Sequence, residues 1–449
     1  MVTLPDARDE PVAAASRDVV DALDHAIDAH LGARVDTRDR LAAVLAADPH
    51  CVLAHCLDGY LAMGASRGDG FKDAHAALRR AEAAAARAPS GMAARESLHM
   101  AALSDWTRGD MEGAARHWDA VLAEHPRDIL ALRVSQFVLS YLGESDRMRD
   151  TVARVLPRWS PGTAGYGFVL GCYAYGLEES GDYARADDVG RRAVELDPTD
   201  IWAAHAVTHV AEMEGRLHDG VAWIARLSDQ WARCNNFAQH LRWHEALFEL
   251  ELARYDRVLS LYDREVRRQP SDEYLDLTNA VSLLWRLEQA EVDVGARWVE
   301  LAACARGHAR DHALVFADLH YLMAIAAVGD VAAIDQFVDS CRQFAASGAG
   351  TEAAVMADVG LPLAHAVRSH RRGAYGDVVD VLLPVRSRFR RIGGSRAQRD
   401  LFDQLLIDAA WRAGRLDVAR DLLAERLARR PSNGWGLRLT AAVRRARGR

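Results

Sequence analysis

The chain has 449 residues, half of them apolar and only 7% aromatic, with 56 basic against 64 acidic side chains and a formal net charge of -8. A core built mostly from Ala, Leu and Val suits closely packed helices, and the negative sum gives no global attraction to nucleic acid or to an anionic membrane surface. Lys72 is the only lysine, and no G-x-x-x-x-G-K-[ST] surrounds it, so P-loop chemistry is excluded and Schiff-base chemistry has a single candidate.

From the start of the chain, Met1 to Glu10 mixes Asp6, Asp9 and Glu10 with Pro5 and has no apolar h-region, so no secretory signal is read. Residues 1–15 are expected to be flexible, with the first helix from about Ser16. The cysteines, Cys51, Cys56, Cys172, Cys234, Cys304 and Cys341, form no C-x-x-C and no zinc-ribbon pairs. A reduced, cytoplasmic chain follows as an expectation. Beyond residue 16, apolar residues recur at i, i+3, i+4 and i+7, and strand-like alternation is nearly absent.

Four phrases then repeat. Gly109-Asp110-Met111-Glu112-Gly113-Ala114, Gly181-Asp182-Tyr183-Ala184-Arg185-Ala186, Ala253-Arg254-Tyr255-Asp256-Arg257-Val258 and Gly414-Arg415-Leu416-Asp417-Val418-Ala419 each open on a small residue and carry another small or compact one five positions on. Pro126, Pro198, Pro270 and Pro431 follow twelve residues later, and Asp128, Asp200, Asp272 and Asn433 stand two further on as candidate helix caps. Weaker copies of the turn fall at Asp69, Gly143, Gly215, about Glu291, Gly329 and Gly373, so that successive turns lie 34 to 44 residues apart. This is the second half of the tetratricopeptide pattern, a small residue for close helix crossing and a proline to stop the second helix. It predicts an all-α, right-handed α-solenoid of about ten helix-turn-helix repeats. One domain is expected over 16–440, followed by a basic tail at 441–449.

Three longer phrases, Ala204 to Met213, Arg310-Asp311-His312 through Met323, and Gly393 to Asp400 through Leu406, resemble those of the tetratricopeptide repeat protein 38 family. The likeness supports the fold and implies no activity. In tetratricopeptide repeats the first helix of each hairpin lines the concave face through its positions 2, 5, 6, 9, 12 and 13. Counted back from each turn, that implies groove positions for His99 and Arg133, for Tyr175 and Glu178, for His205, His209 and Glu212, and for His240, Trp243 and His244. Farther along come Trp285, Phe316 and His320. A groove rich in His, Glu and aromatic side chains differs from the Lys- and Arg-lined grooves that capture peptide carboxylates. Ten hairpins exceed one superhelical turn, so the expected groove is enclosed and suited to a small ligand or a partner segment.

Two kinds of chemistry remain open on these residues. His205-x3-His209 and His240-x3-His244 each set two imidazoles on one helical face, the spacing used for zinc or iron, so His205, His209, His240 and His244 are candidate metal ligands. Without a metal, His205, His209, Glu212, His240, His244 and His320 are candidates for general acid-base catalysis. Hydrogen bonding between helices is the structural alternative for the same histidines. Cys172, on an apolar Gly/Tyr helix, reads as packing rather than as a nucleophile. The basic cluster Arg386 to Arg399 beside Gly393-Gly394 reads first as a helix C-terminus and a solvated face, and second as an anion site. The chain is thus expected to be either a binding scaffold or an enzyme or metalloprotein, with no nucleic-acid or membrane partner.

Overall fold

The computed structural model describes residues 2–87 and 93–447. It is all-α apart from one two-stranded hairpin near the start. The sequence pattern explains the helical pairs. Gly109, Gly143, Gly181, Gly215, Gly329, Gly373 and Gly414 all adopt positive φ, and so do Ala253 (56°) and Glu291 (61°), which occupy the same turn position without being glycine. The first turn forms at Ser66 (φ 50°) rather than at Asp69, which lies inside the helix Gly68–Ala85.

Caps hold the repeat register. Asp128 Oδ1 accepts from Ala131 N at 2.8 Å, Asp200 Oδ1 from Ala203 N at 3.0 Å, and Asn433 Oδ1 from Gly436 N at 2.8 Å, each satisfying an N–H that the first helical turn leaves open. Asp272 does not hold the equivalent place, because the helix Tyr274–Gln289 begins one residue later than its proline suggests, with Glu273 at the N-cap.

First and second helices differ in burial. In the first helices Tyr274–Gln289 and Val315–Ala327, every residue from Asp276 to Leu287 and from Val315 to Ala326 is buried; Val315–Ala327 is apolar nearly all round, whereas Tyr274–Gln289 buries Asp276, Asn279 and Arg286 as well. The second helix Tyr183–Leu196 buries only Ala186, Gly190, Ala193 and Val194. The first helices are therefore the inner layer, and they carry most of the candidate residues.

The contacts divide the chain into two compact units, residues 1–207 with 227–237 and residues 208–226 with 238–449. In the first unit the segment after residue 227 returns to the start of the chain, where Asn235 N donates to Ala33 O at 2.7 Å and Val35 N to Arg233 O at 3.1 Å. No composition shift marks this pairing in the sequence.

The chain start also differs from its expectation. Instead of a flexible segment, β1 (Val2–Pro5) and β2 (Pro11–Ala14) pair antiparallel, with Val2 opposite Ala14 and Pro5 opposite Pro11. Its charges find partners within the same unit. Arg8 is 1% exposed and bonded to Asp24 at 2.8 Å and to Asp28. Glu10 accepts from Arg127 N at 3.1 Å and meets His125 Nδ1 at 2.8 Å. The C-terminal stretch is likewise helical: Gly434–Arg447 forms one helix, Val443 is buried, and Arg447 pairs with Asp417 at 2.9 Å. Residues 448 and 449 of the expected tail lie outside the described residues.

Candidate functional site

In the first unit, the candidate residues fall into two groups. His99 is fully buried, with Nδ1 3.0 Å from the Tyr60 hydroxyl and Nε2 2.9 Å from Asp128 Oδ2. Arg95 Nε donates to the same Asp128 oxygen at 2.6 Å. Burial alone would raise the Asp128 carboxyl, but Arg95 and then His99 hold it well below the usual carboxylate range. His99 is therefore a structural residue in a filled charge network.

The second group is aromatic. The Arg133 guanidinium lies 3.7 Å from the Trp202 ring centroid and 4.2 Å from that of Phe137, in the corner made by two perpendicular rings. Phe237 continues the cluster, 3.7 Å from Trp202 and 5.0 Å from His205, and Tyr175 is 5.6 Å from His205 on another side. Glu178 is fully buried on the same helix as Tyr175. Burial pushes the Cys172 thiol up, which agrees with packing and not with a thiolate nucleophile.

In the second unit the structure brings four of the six acid-base candidates together. His209 and Glu212 come from the helix Ile201–Glu214, and His240 and His244 from Phe237–Glu251. His209 Nε2 stands 3.1 Å from His244 Nε2, and His244 Nδ1 is 3.0 Å from Glu212 Oε2. His240 Nδ1 is 3.1 Å from Asn279 Oδ1. Trp243 stacks on His240 at 5.2 Å, and its Nε1 donates to Ser282 Oγ at 3.0 Å. The last two bonds each join residues 39 apart, so one repeat offset aligns Asn279 and Ser282 with His240 and Trp243.

Burial governs the charges here. It lowers the His244 imidazole well below its ordinary value, helped by His209 and Arg286, and does the same to His240, helped by His244 and opposed by the Asn279 bond. Both rings are neutral at pH 7. Burial raises Glu212 against the pull of Arg430 and His209. Arg286 bonds two backbone carbonyls, Ser282 O at 3.2 Å and Ala397 O at 3.0 Å, and burial lowers it to about 10. Asp400, which burial would raise, is held well below the usual range by Arg426, bonded at 2.5 and 2.8 Å, and by Arg430.

Three other candidates in this unit stand apart from the four. His320 Nδ1 is 2.7 Å from Phe316 O, its ring lies 4.4 Å from Phe316 and 5.6 Å from Phe402, and burial lowers it to about 3. Phe316 is packed there with it. Trp285 lies beneath Arg371, 4.0 Å from ring centroid to guanidinium, and beside His370 at 5.3 Å. The basic cluster is spent on ion pairs: Arg386 with Asp403 and Glu425 at 2.8 and 2.6 Å, and Arg388 and Arg391 with Asp358.

A cleft reaches Glu212 from the surface of this unit. Its lining includes the charged groups of Glu212, Glu251, Arg286, Asp400, Arg430 and Arg438, and Phe248 and Trp435 contribute apolar wall. Arg286, Asp400 and Arg430 were not singled out from the sequence. Arg286 follows the candidate Trp285 and Asp400 ends one of the family-like phrases, but nothing local shows that Arg430 lies opposite Glu212, 3.8 Å away.

No protein-family model matches the chain. Among solved structures, it is similar to a chain in a structure of Naa15/Naa10 bound to HypK-THB, at 11% sequence identity and a TM-score of 0.24. The match covers 95% of this chain and spans 66% of that one. Among the described residues no helix is long and apolar enough to cross a membrane. The chain is a helical-repeat protein with a buried histidine and glutamate cluster in its second unit.

Proposed function

We propose that the second unit binds a small ligand with an apolar body and a carboxylate or similar acceptor head, seated in the cleft above Glu212. The observation that carries this reading is Arg430. Its Nη1 stands 3.7 Å from Asp400 Oδ2 and 3.8 Å from Glu212 Oε1, close enough for attraction but beyond a hydrogen bond. The other end of the guanidinium, Nη2, donates to Met213 Sδ at 3.1 Å, and Nη1 keeps donor capacity for an acceptor in the cleft. Trp435 and Phe248 suit an apolar body.

A panel of aromatic and aliphatic carboxylates screened by thermal shift tests this reading. At least one is expected to raise the Tm of the wild type by several degrees and to lose that effect in Arg430→Met. A panel that leaves the wild type unmoved, or shifts that survive Arg430→Met, would overturn it.

A second reading rests on Glu212, whose carboxyl is raised by burial, lines the cleft and bonds His244. A carboxyl-imidazole pair facing a bound ligand is equipped for general acid-base catalysis. Turnover of a ligand found in the screen, abolished by Glu212→Gln with binding kept, is the outcome that supports it.

A further inference from the structure

We propose that His209, His240 and His244 form a divalent transition-metal centre inside the second unit, with Glu212 and Asn279 as the outer acceptors that orient two of the rings. This goes beyond ligand binding in the cleft, because the nitrogens concerned lie on the far side of His244 from Glu212.

The geometry supplies three independent features. First, one ring nitrogen from each histidine lies within 4.8 Å of the others, and the two Nε2 atoms of His209 and His244 are 3.1 Å apart. Two nitrogens bound to one tetrahedral zinc are separated by about 3.3 Å, so little movement is needed to admit an ion. Second, the tautomers suit ligation. Glu212 Oε2 accepts the proton of His244 Nδ1, and Asn279 Oδ1 that of His240 Nδ1. On both rings Nε2 is then the lone-pair atom. A carboxylate or carbonyl behind a histidine is the outer-shell arrangement that fixes metal-ligating imidazoles. Third, all three rings are at most 3% exposed, so the ligating nitrogens converge inside the unit rather than on its surface.

Without a metal, a proton on His209 Nε2 bridges to His244 Nε2. For a divalent ion to be bound by both nitrogens that proton moves to His209 Nδ1, so the ring stays neutral, its Nε2 lone pair is released for the metal, and no proton is lost to solvent. Imidazole nitrogens favour zinc, iron, cobalt, nickel or copper over magnesium or calcium.

The test uses the full-length protein without an affinity tag, stripped with a chelator and titrated with Zn²⁺ and with Co²⁺. One equivalent is expected to bind tightly, and the cobalt form to show the visible absorption of a four- or five-coordinate site. His244→Ala should abolish both signals, and Glu212→Gln should weaken affinity about 10- to 100-fold. Should His244→Ala fail to fold, as judged by circular dichroism, His240→Gln replaces it. Arg430→Met should leave metal binding unchanged, which separates this proposal from the cleft reading. Less than one equivalent bound by the wild type would overturn it, as would stoichiometry and spectrum that persist in the histidine variants.

Discussion

His99 in the first unit and His244 in the second each bond one ring nitrogen to a buried carboxylate, Asp128 at 2.9 Å and Glu212 at 3.0 Å. Their other nitrogens meet different partners. That of His99 ends on the Tyr60 hydroxyl, which also receives Trp118 Nε1 at 3.1 Å and donates to the His99 carbonyl at 2.9 Å. That of His244 faces another imidazole. The carboxylates differ as well: Asp128 has a guanidinium at 2.6 Å, whereas the nearest oxygen of Glu212 to Arg430 is at 3.8 Å. A buried carboxylate closed by a short guanidinium bond stabilises one conformation. The residue types alone do not separate the two cases.

The largest way to break this comparison is Asp128→Asn. It leaves Arg95 buried beside a neutral amide, and chemical denaturation should show a loss of about 3–5 kcal/mol. A loss below about 1 kcal/mol would mean that the first network is no more committed than the second.

Asp200 sharpens the point, because it occupies the same capping place as Asp128 one stretch of chain later. Burial raises it to about 7, and its Oδ2 has no hydrogen-bond partner. The signs are opposite. A raised carboxyl contributes stability that is present below its unfolded value near 4 and is lost as pH rises through about 7; the depressed Asp128 contributes stability that is present above that unfolded value and lost as pH falls further. Asp200→Asn keeps the cap through Oδ1 and should stabilise the protein at pH 8 by a few kcal/mol, about 4 at most at roughly 1.4 per unit, and by nothing at pH 4. Unfolding curves for both variants across pH 3 to 8 decide whether the two caps diverge.

The smallest effect is expected for Glu212→Gln. The amide oxygen still accepts from His244 Nδ1, a partly opposed buried charge is removed, and stability should change by no more than about 1 kcal/mol. A loss as large as that of Asp128→Asn would place Glu212 among the structural carboxylates and remove the contrast.

The turns were legible because the repeat spacing marks them even where the residue is unsuited. Ala253 and Glu291 adopt φ near 60° at a cost of about 1–2 kcal/mol each, and residue type alone would not have found them. The pairs His209 with Glu212 and His240 with His244 were legible for a related reason: helical spacing and repeat phase together set them on the inner layer. Other features have no local signal. The chain start reads as charged and loose until Asp24, Arg95 and His125 are brought to it by the fold. Arg430, Asn433 and Gly434 meet Met213 and Glu251 across separations of 182 to 217 residues. Periodicity describes neighbours within a repeat and the next repeat, so contacts that skip many repeats lie outside its reach.

Those long-range contacts bear on how the second unit comes apart. Asn433 Nδ2 donates to Glu251 Oε1 at 2.5 Å, Gly434 N to Glu251 Oε2 at 3.0 Å, and a side chain at Gly215 would come within 2.1 Å of Ser432 Oγ. An open array of repeats loses its last member first, because each repeat leans only on its neighbours. Here the last hairpin is fastened to the first helices of the unit, so the terminal repeat has no independent route to fraying. Melting should be a single cooperative event, and refolding slow, since the fastening must wait for chain segments some two hundred residues apart to meet.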